Sequence, residues 1–122
     1  MAKRVFIVDD EQPILDLVKE VLTPGGYAVE GYPDGEGMIK ALAKGAPNLI
    51  LLDIKLPGMD GYKVCKSLKA NPHLQDIKVC FVSAKTTPED VRKGIECGAD
   101  DYLTKPFSNS QLIAKVRELI GK

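Results

Sequence analysis

Tryptophan is absent from the 122 residues, histidine occurs once, and aromatic residues make up only 6%. The single histidine, His73, lies in a Pro/Asn-rich stretch and reads as a surface residue, not a base or a ligand. Cysteine is scarce too. Cys65, Cys80 and Cys97 are far apart and odd in number, which excludes a disulfide scaffold and suits reduced thiols. Cys65 and Cys80 fall on expected core faces, where a small apolar side chain explains them. Neither sign of charge is in excess, because 17 basic residues meet 17 acidic ones. With a pI of about 6.6, direct nucleic-acid binding by the domain is not expected. No apolar run approaches the ~18 residues that a membrane span needs. The opening MAKRVFIVDDEQ holds four consecutive apolar residues before its aspartates, too few for the apolar stretch of a signal peptide. What remains is ordinary globular composition, 44% hydrophobic and 28% charged. Residues 1–122 are expected to form one cytoplasmic domain without membrane contact, near the common single-core size of ~100–150 residues.

Apolar runs and helical patterns alternate along the chain. Val5-Phe6-Ile7-Val8, Leu49-Ile50-Leu51-Leu52 and Val79-Cys80-Phe81-Val82 are continuous and apolar on both faces, as strands covered on two sides must be. Two shorter strands are read at Tyr27–Tyr32 and around Asp101–Thr104. Between them, Ile14, Leu17, Val18, Val21 and Leu22 recur at helical spacing, and Asp34 caps a helix carrying Met38, Ile39 and Leu42. The loop Leu56–Gly61 leads to a helix with Val64, Cys65 and Leu68. Thr87-Pro88-Glu89-Asp90 reads as a cap, a first-turn proline and first-turn acids, ahead of a helix anchored only by Val91 and Ile95. The last helix is expected to bury Leu112, Ile113, Val116, Leu119 and Ile120. Five strands and five helices in this order predict an α/β, flavodoxin-like (βα)5 doubly wound sandwich. Its parallel sheet has the order 2-1-3-4-5.

In such a sheet the carboxyl ends of all strands emerge on one edge, and ligands bind where the winding reverses. The first strand delivers Asp9 and Asp10 there, the third Asp53, the fourth Ser83 and the fifth Lys105. Crowded carboxylates resist ionisation, and a hard divalent cation such as Mg²⁺ or Mn²⁺ relieves them. Lys105 can meet phosphoryl oxygens, and a carboxylate can itself be the nucleophile in phosphoryl transfer. Asp53, between the acidic pair and the Ser83/Lys105 side, is the best nucleophile. Each residue alone has a plainer reading: a solvated turn for Asp9-Asp10, a turn hydroxyl for Ser83, a surface lysine for Lys105. Their convergence on one edge favours the site.

Four stretches in register resemble the receiver domain of two-component response regulators. They are Asp9-Asp10, Asp53 with Leu56-Pro57-Gly58-Met59-Asp60-Gly61, Ser83-Ala84, and Gly98-Ala99-Asp100-Asp101-Tyr102-Leu103-Thr104-Lys105-Pro106-Phe107. The resemblance covers essentially the whole chain. It implies that Asp53 accepts a phosphoryl group from a sensor histidine kinase or a histidine phosphotransfer protein. It further implies Mg²⁺ held directly by Asp10, through water by Asp9, and by Asp53 and the Lys55 backbone carbonyl. Lys105 would bind a phosphoryl oxygen, across a cis bond to Pro106. Ser83 and Tyr102 would be a switch pair whose movement repacks the face of the fourth helix, fifth strand and fifth helix.

Other readings of the same topology fit less well. A flavin module needs a small-residue phosphate loop after the first strand, where Asp9-Asp10-Glu11 would repel phosphate. An aspartyl-phosphate phosphohydrolase needs a cap or an extra acid/base group. A degenerate binding-only receiver would lack positions that are filled here. The resemblance sets Lys55 and Lys85, two residues after Asp53 and Ser83, at positions that flank the phosphoryl group; neither is a water-positioning acid or amide, so a long-lived phosphorylated form is expected. Glu11 falls on the pocket rim. Lys93, Asp100, Asp101, Lys115 and Arg117 partly resemble the charged set with which many regulators pair, with Gln111 at one acidic position. The expectation is a weak, phosphorylation-favoured homodimer.

Overall fold

The apolar runs become the middle of a five-stranded parallel sheet because their side chains have helices on both sides to pack against. The computed structural model describes residues 2–84 and 87–121. In chain order it holds β1 (Arg4–Val8), α1 (Gln12–Leu22), β2 (Ala28–Tyr32), α2 (Gly35–Leu42) and β3 (Leu49–Leu52). Then follow α3 (Gly61–Ala70), β4 (Lys78–Ser83), α4 (Pro88–Glu96), β5 (Asp101–Thr104) and α5 (Asn109–Ile120). The strand order is β2-β1-β3-β4-β5, all parallel, as the alternation predicts.

Period-two alternation divides the core. Val5, Ile7, Leu49, Leu51, Cys80 and Val82 face α1 and α5, meeting Leu15, Val18, Leu22, Leu112 and Val116. Phe6, Val8, Ile50, Leu52, Val79 and Phe81 face the other way, onto Met38 of α2 and Val64, Cys65 and Leu68 of α3. Each fully buried Leu, Ile, Val or Phe is worth about 1.5–3 kcal/mol, so the central strands hold the molecule together.

Local signals set the helix starts. The side chains of Asp34, Asp60, Thr87 and Ser108 each accept a backbone N–H in the first turn of α2, α3, α4 and α5. Ser108 and Gln111 complete a reciprocal capping box.

The structure departs from the sequence reading at four places. The Leu56–Gly61 loop carries a two-stranded antiparallel ribbon, Lys55–Leu56 against Met59–Asp60. A 3-10 turn, Thr23–Gly25, follows α1. Ile95 is not an anchor of α4 but 68% exposed, and Gly94 is the buried residue of that helix. In α5 only Leu112 and Val116 are buried, while Ile113, Leu119 and Ile120 are half-covered at the core's margin. With so little apolar area underneath it, α4 is the helix held least by burial.

Candidate functional site

Strand register sets the depth of each polar residue. Val8 pairs with Leu52 across β1 and β3, so the residues that follow, Asp9 and Asp53, leave the sheet side by side. The Asp53 N–H donates to the Val8 carbonyl at 3.0 Å. On the other flank Leu52 pairs with Phe81, which lets β4 run on to Ser83. Ser83 pairs with Thr104, and the Lys105 N–H donates to the Ser83 carbonyl at 2.9 Å. All strand-end residues singled out in the sequence therefore meet on one edge. The Lys105–Pro106 peptide is cis.

Asp9 is fully buried. One of its carboxylate oxygens accepts the Glu11 N–H at 2.9 Å, and the other accepts the Lys105 ammonium at 2.6 Å. Lys105 Nζ also lies 3.5 Å from Asp53 Oδ2 and 3.9 Å from Glu11 Oε1. It spans two buried carboxylates and a rim glutamate. Burial works against its charge, but the hydrogen bond to Asp9 and the fields of Asp53, Asp9 and Glu11 outweigh that and hold its pKa above the ordinary lysine value. Asp53 is pushed the other way for an acid. Burial, helped by the Asp9 charge, raises its pKa against the opposing pull of Lys105 and of the Lys55 and Ile54 backbone N–H groups.

Asp10, by contrast, is exposed. Carboxylate oxygens of Asp9, Asp10 and Asp53 lie within 4.8 Å of one another. This donor set is all hard oxygen, and three carboxylates against one ammonium leave a surplus negative charge. Both features fit a divalent cation of the Mg²⁺ kind.

Ser83 is buried, and its side chain hydrogen-bonds with that of Tyr102. Tyr102 packs at 6.2 Å, tilted, against the Phe81 ring. Burial foremost raises the Tyr102 pKa, with Asp90 and Asp53 adding and the Ser83 bond opposing. The side chain of Lys55 is exposed, as is that of Glu11 on the rim; Lys85 lies outside the described residues. Cys65 and Cys80 are buried, and burial foremost pushes both thiols up to about 12, which leaves them inert as nucleophiles. His73 is exposed.

Three features were not read from the sequence. Gly61 sits directly under the Asp53 loop: a Cβ there would lie 2.4 Å from the Asp53 carbonyl oxygen. The Gly that follows Asp60 in the loop motif is its only sequence trace. Lys69 donates to Ile77 O at 2.7 Å and to Asp100 at 2.8 Å, tying the end of α3 to the start of β5. Asp100 thus belongs to an internal knot, and Asp101 pairs with Lys115 at 2.9 Å. Tyr62, third, reaches from α3 to α4.

Comparison with known proteins agrees with this fold. The family model for the response regulator receiver domain matches residues 5–117. The chain superimposes on the chemotaxis response regulator CheY4 of Vibrio cholerae with a TM-score of 0.92 at 26% identity, covering 98% of this chain and 99% of that one. It matches the BeF3-activated receiver domain of DrrB with a TM-score of 0.90 at 32% identity, over 100% of both chains. The receiver domain of a signal transduction histidine kinase from Syntrophus aciditrophicus is 35% identical, with a TM-score of 0.89 over 98% of this chain and 90% of that one. The family match over most of the chain makes it a phosphorylation-dependent regulatory module. The chain belongs to the response regulator receiver domains of two-component systems. Among the described residues, no helix is long and apolar enough to cross a membrane.

Proposed function

We propose that Asp53 is the phosphoacceptor of a signalling switch, charged by a sensor histidine kinase or a histidine phosphotransfer protein with Mg²⁺ or Mn²⁺ present. The observation that carries this reading is the placement of Asp53 itself. It ends a central strand, with the Lys105 ammonium 3.5 Å away and two further carboxylates gathered beside it.

In the reaction, an Asp53 carboxylate oxygen forms a bond to phosphorus while the phosphorus–nitrogen bond of a phosphohistidine breaks. The departing imidazole keeps the electron pair and takes up a proton. Backbone N–H groups of Ile54 and Lys55 orient the carboxylate. Lys105 already bridges Asp9 and Asp53, so a small swing brings its charge onto a transferred oxygen. Asp9, Asp10, Asp53 and the Lys55 carbonyl would hold the cation, which supplies charge neutralisation for the phosphoryl oxygens.

The Ser83–Tyr102 bond supports a route from this pocket to the face of α4, β5 and α5, whose repacking changes partner binding. The downstream partner is unassigned. Asp100 and Asp101 are engaged within the chain, which supports only a weak homodimer through that face. Lys55, exposed beside Asp53, offers no acid or amide to position water, which supports slow loss of the phosphoryl group. The chain acts on itself and is not a turnover enzyme. Incubation with acetyl phosphate and Mg²⁺, followed by mass spectrometry, should add one phosphoryl group to the native chain and none to Asp53→Asn. Equal labelling of both would overturn the assignment.

A further inference from the structure

The first turn of α4 is tied to the rest of the molecule by a side chain that the phosphorylation chemistry does not use. Tyr62, in the first turn of α3, donates its hydroxyl to the Asp90 carbonyl of α4 at 3.3 Å. That carbonyl has a second lone pair free for the helix's own ladder, so the bond costs α4 nothing. At 3.3 Å it is longer than the usual O–H···O bond of about 2.5–3.0 Å, so it is a weak bond that a small displacement breaks. Burial foremost, with the fields of Tyr102, Asp90 and Asp60 behind it, pushes the Tyr62 hydroxyl up to about 12. The group is therefore a donor throughout the working pH range.

Tyr62 is also one end of an aromatic row. Its ring meets Phe81 edge-on at 5.3 Å, and Phe81 meets Tyr102 at 6.2 Å. Phe81 is fully buried in β4, two residues before Ser83, and the far end of the row hydrogen-bonds with Ser83. α4 rests directly on the middle ring. A Cβ at Gly94 would come within 3.1 Å of Phe81 and 3.7 Å of Tyr102, so the helix backbone has no cushion between itself and the row. Gly94 is the buried residue of α4 and Ile95 is 68% exposed. Little apolar burial competes with these contacts in deciding where the helix sits.

We propose that Tyr62 is a positioning residue of the switch: its hydroxyl holds α4 in its present place, at the end of a Tyr102–Phe81–Tyr62 row that begins at Ser83. The proposal rests on the reading of Asp53 as phosphoacceptor and adds the element that resists the change. A movement of Tyr102 toward or away from Ser83 shifts Phe81, and Phe81 carries α4 and the Tyr62 ring with it. Repacking of α4 then requires the Tyr62–Asp90 bond to open. Any ligand that selects the repacked state must overcome that bond, and by linkage its removal strengthens the ligand's binding.

The test uses the full chain with Tyr62→Phe, which deletes the hydroxyl and keeps the ring. Backbone hydrogen exchange in α4 should rise about twofold in the unphosphorylated protein, the factor expected for a net hydrogen bond at the weak end of the usual range. Exchange in α1 and α5 should stay as in the native chain. Beryllofluoride, titrated with Mg²⁺, should bind the variant more tightly by a similar factor. Labelling of Asp53 by acetyl phosphate should reach the same stoichiometry. Tyr62→Leu, which also removes the ring, should lose the coupling: beryllofluoride would no longer alter α4 exchange. Unchanged α4 exchange and unchanged or weaker beryllofluoride affinity in Tyr62→Phe would overturn the proposal. So would a uniform rise in exchange across all helices. Failure of the native chain to bind beryllofluoride would instead remove the reading of Asp53, while the resting exchange of α4 would still decide whether Tyr62 holds it.

Discussion

A carboxylate taken out of water at the end of a strand carries a free-energy penalty, and at Asp53 that penalty is only partly offset. Burial and the neighbouring Asp9 raise its pKa despite Lys105 and two backbone N–H groups. The sign follows from linkage. The folded state binds the Asp53 proton more tightly than the unfolded chain does, so stability from this group rises as pH falls through its folded pKa. Above its folded pKa, where both states are ionised, the whole penalty is present. Asp53→Asn keeps an oxygen for the Ile54 and Lys55 N–H groups and removes the charge. It should stabilise the protein at pH 7 by on the order of 1 kcal/mol, raising Tm by about 4 °C. The gain should shrink as pH approaches the carboxylate range, which calorimetry across pH 4–8 would reveal as converging melting curves. At this scale the sequence was informative for residues that end strands. Asp9, Asp53 and Ser83 could be placed because each follows an apolar run, and Lys105 because it follows the shorter fifth strand. It was silent on Gly61, Lys69 and Tyr62, whose partners come from other elements at distances no local pattern encodes.

Among the elements, the β3–α3 connection is the most constrained. Gly61 is the first residue of α3, and its N–H donates to the Ile54 carbonyl at 2.7 Å. A methyl group there would meet the Asp53 carbonyl oxygen at 2.4 Å, Ile54 Cα at 2.8 Å and the Ile54 oxygen at 2.9 Å. All three are backbone atoms, which cannot rotate aside. Gly61→Ala should therefore cost about 2–3 kcal/mol by urea unfolding. It should also slow labelling of Asp53, because the displaced loop carries the N–H groups that orient its carboxylate. Element types were legible because period-two runs and helical spacings are dictated by which faces must be covered. The two misreadings have the same cause. Ile95 has the spacing of an anchor, but α4 sits at the sheet's flank with no layer beneath its outer side. The outer apolar residues of α5 lie at the core's edge, where only Leu112 and Val116 reach inward. Hydrophobic spacing reports which residues share a face, not how far the opposing layer extends.

At the scale of the whole molecule, the proposed cation site couples the sheet edge to overall stability. A ligand bound only by the folded state, at about a hundredfold its Kd, adds about 2.7 kcal/mol. For a chain of this length that is a rise in Tm of about 10 °C. Adding Mg²⁺ should produce a shift of that order, chelator should reverse it, and Asp10→Asn should abolish most of it. A thermal shift unaffected by Mg²⁺ would count against Asp9, Asp10 and Asp53 as ligands. The bridge from Lys105 to Asp9 joins positions 96 apart in the chain, and Asp53 stands between them. The carboxylates come from the first and third strands, whereas their counter-charge arrives with the last. A polypeptide still emerging from a ribosome, or clipped before its final strand, would present the acids without the ammonium that offsets part of their charge. Under the proposed assignment of Asp53, the site is complete only once the last strand has brought its lysine to the acid that follows the first.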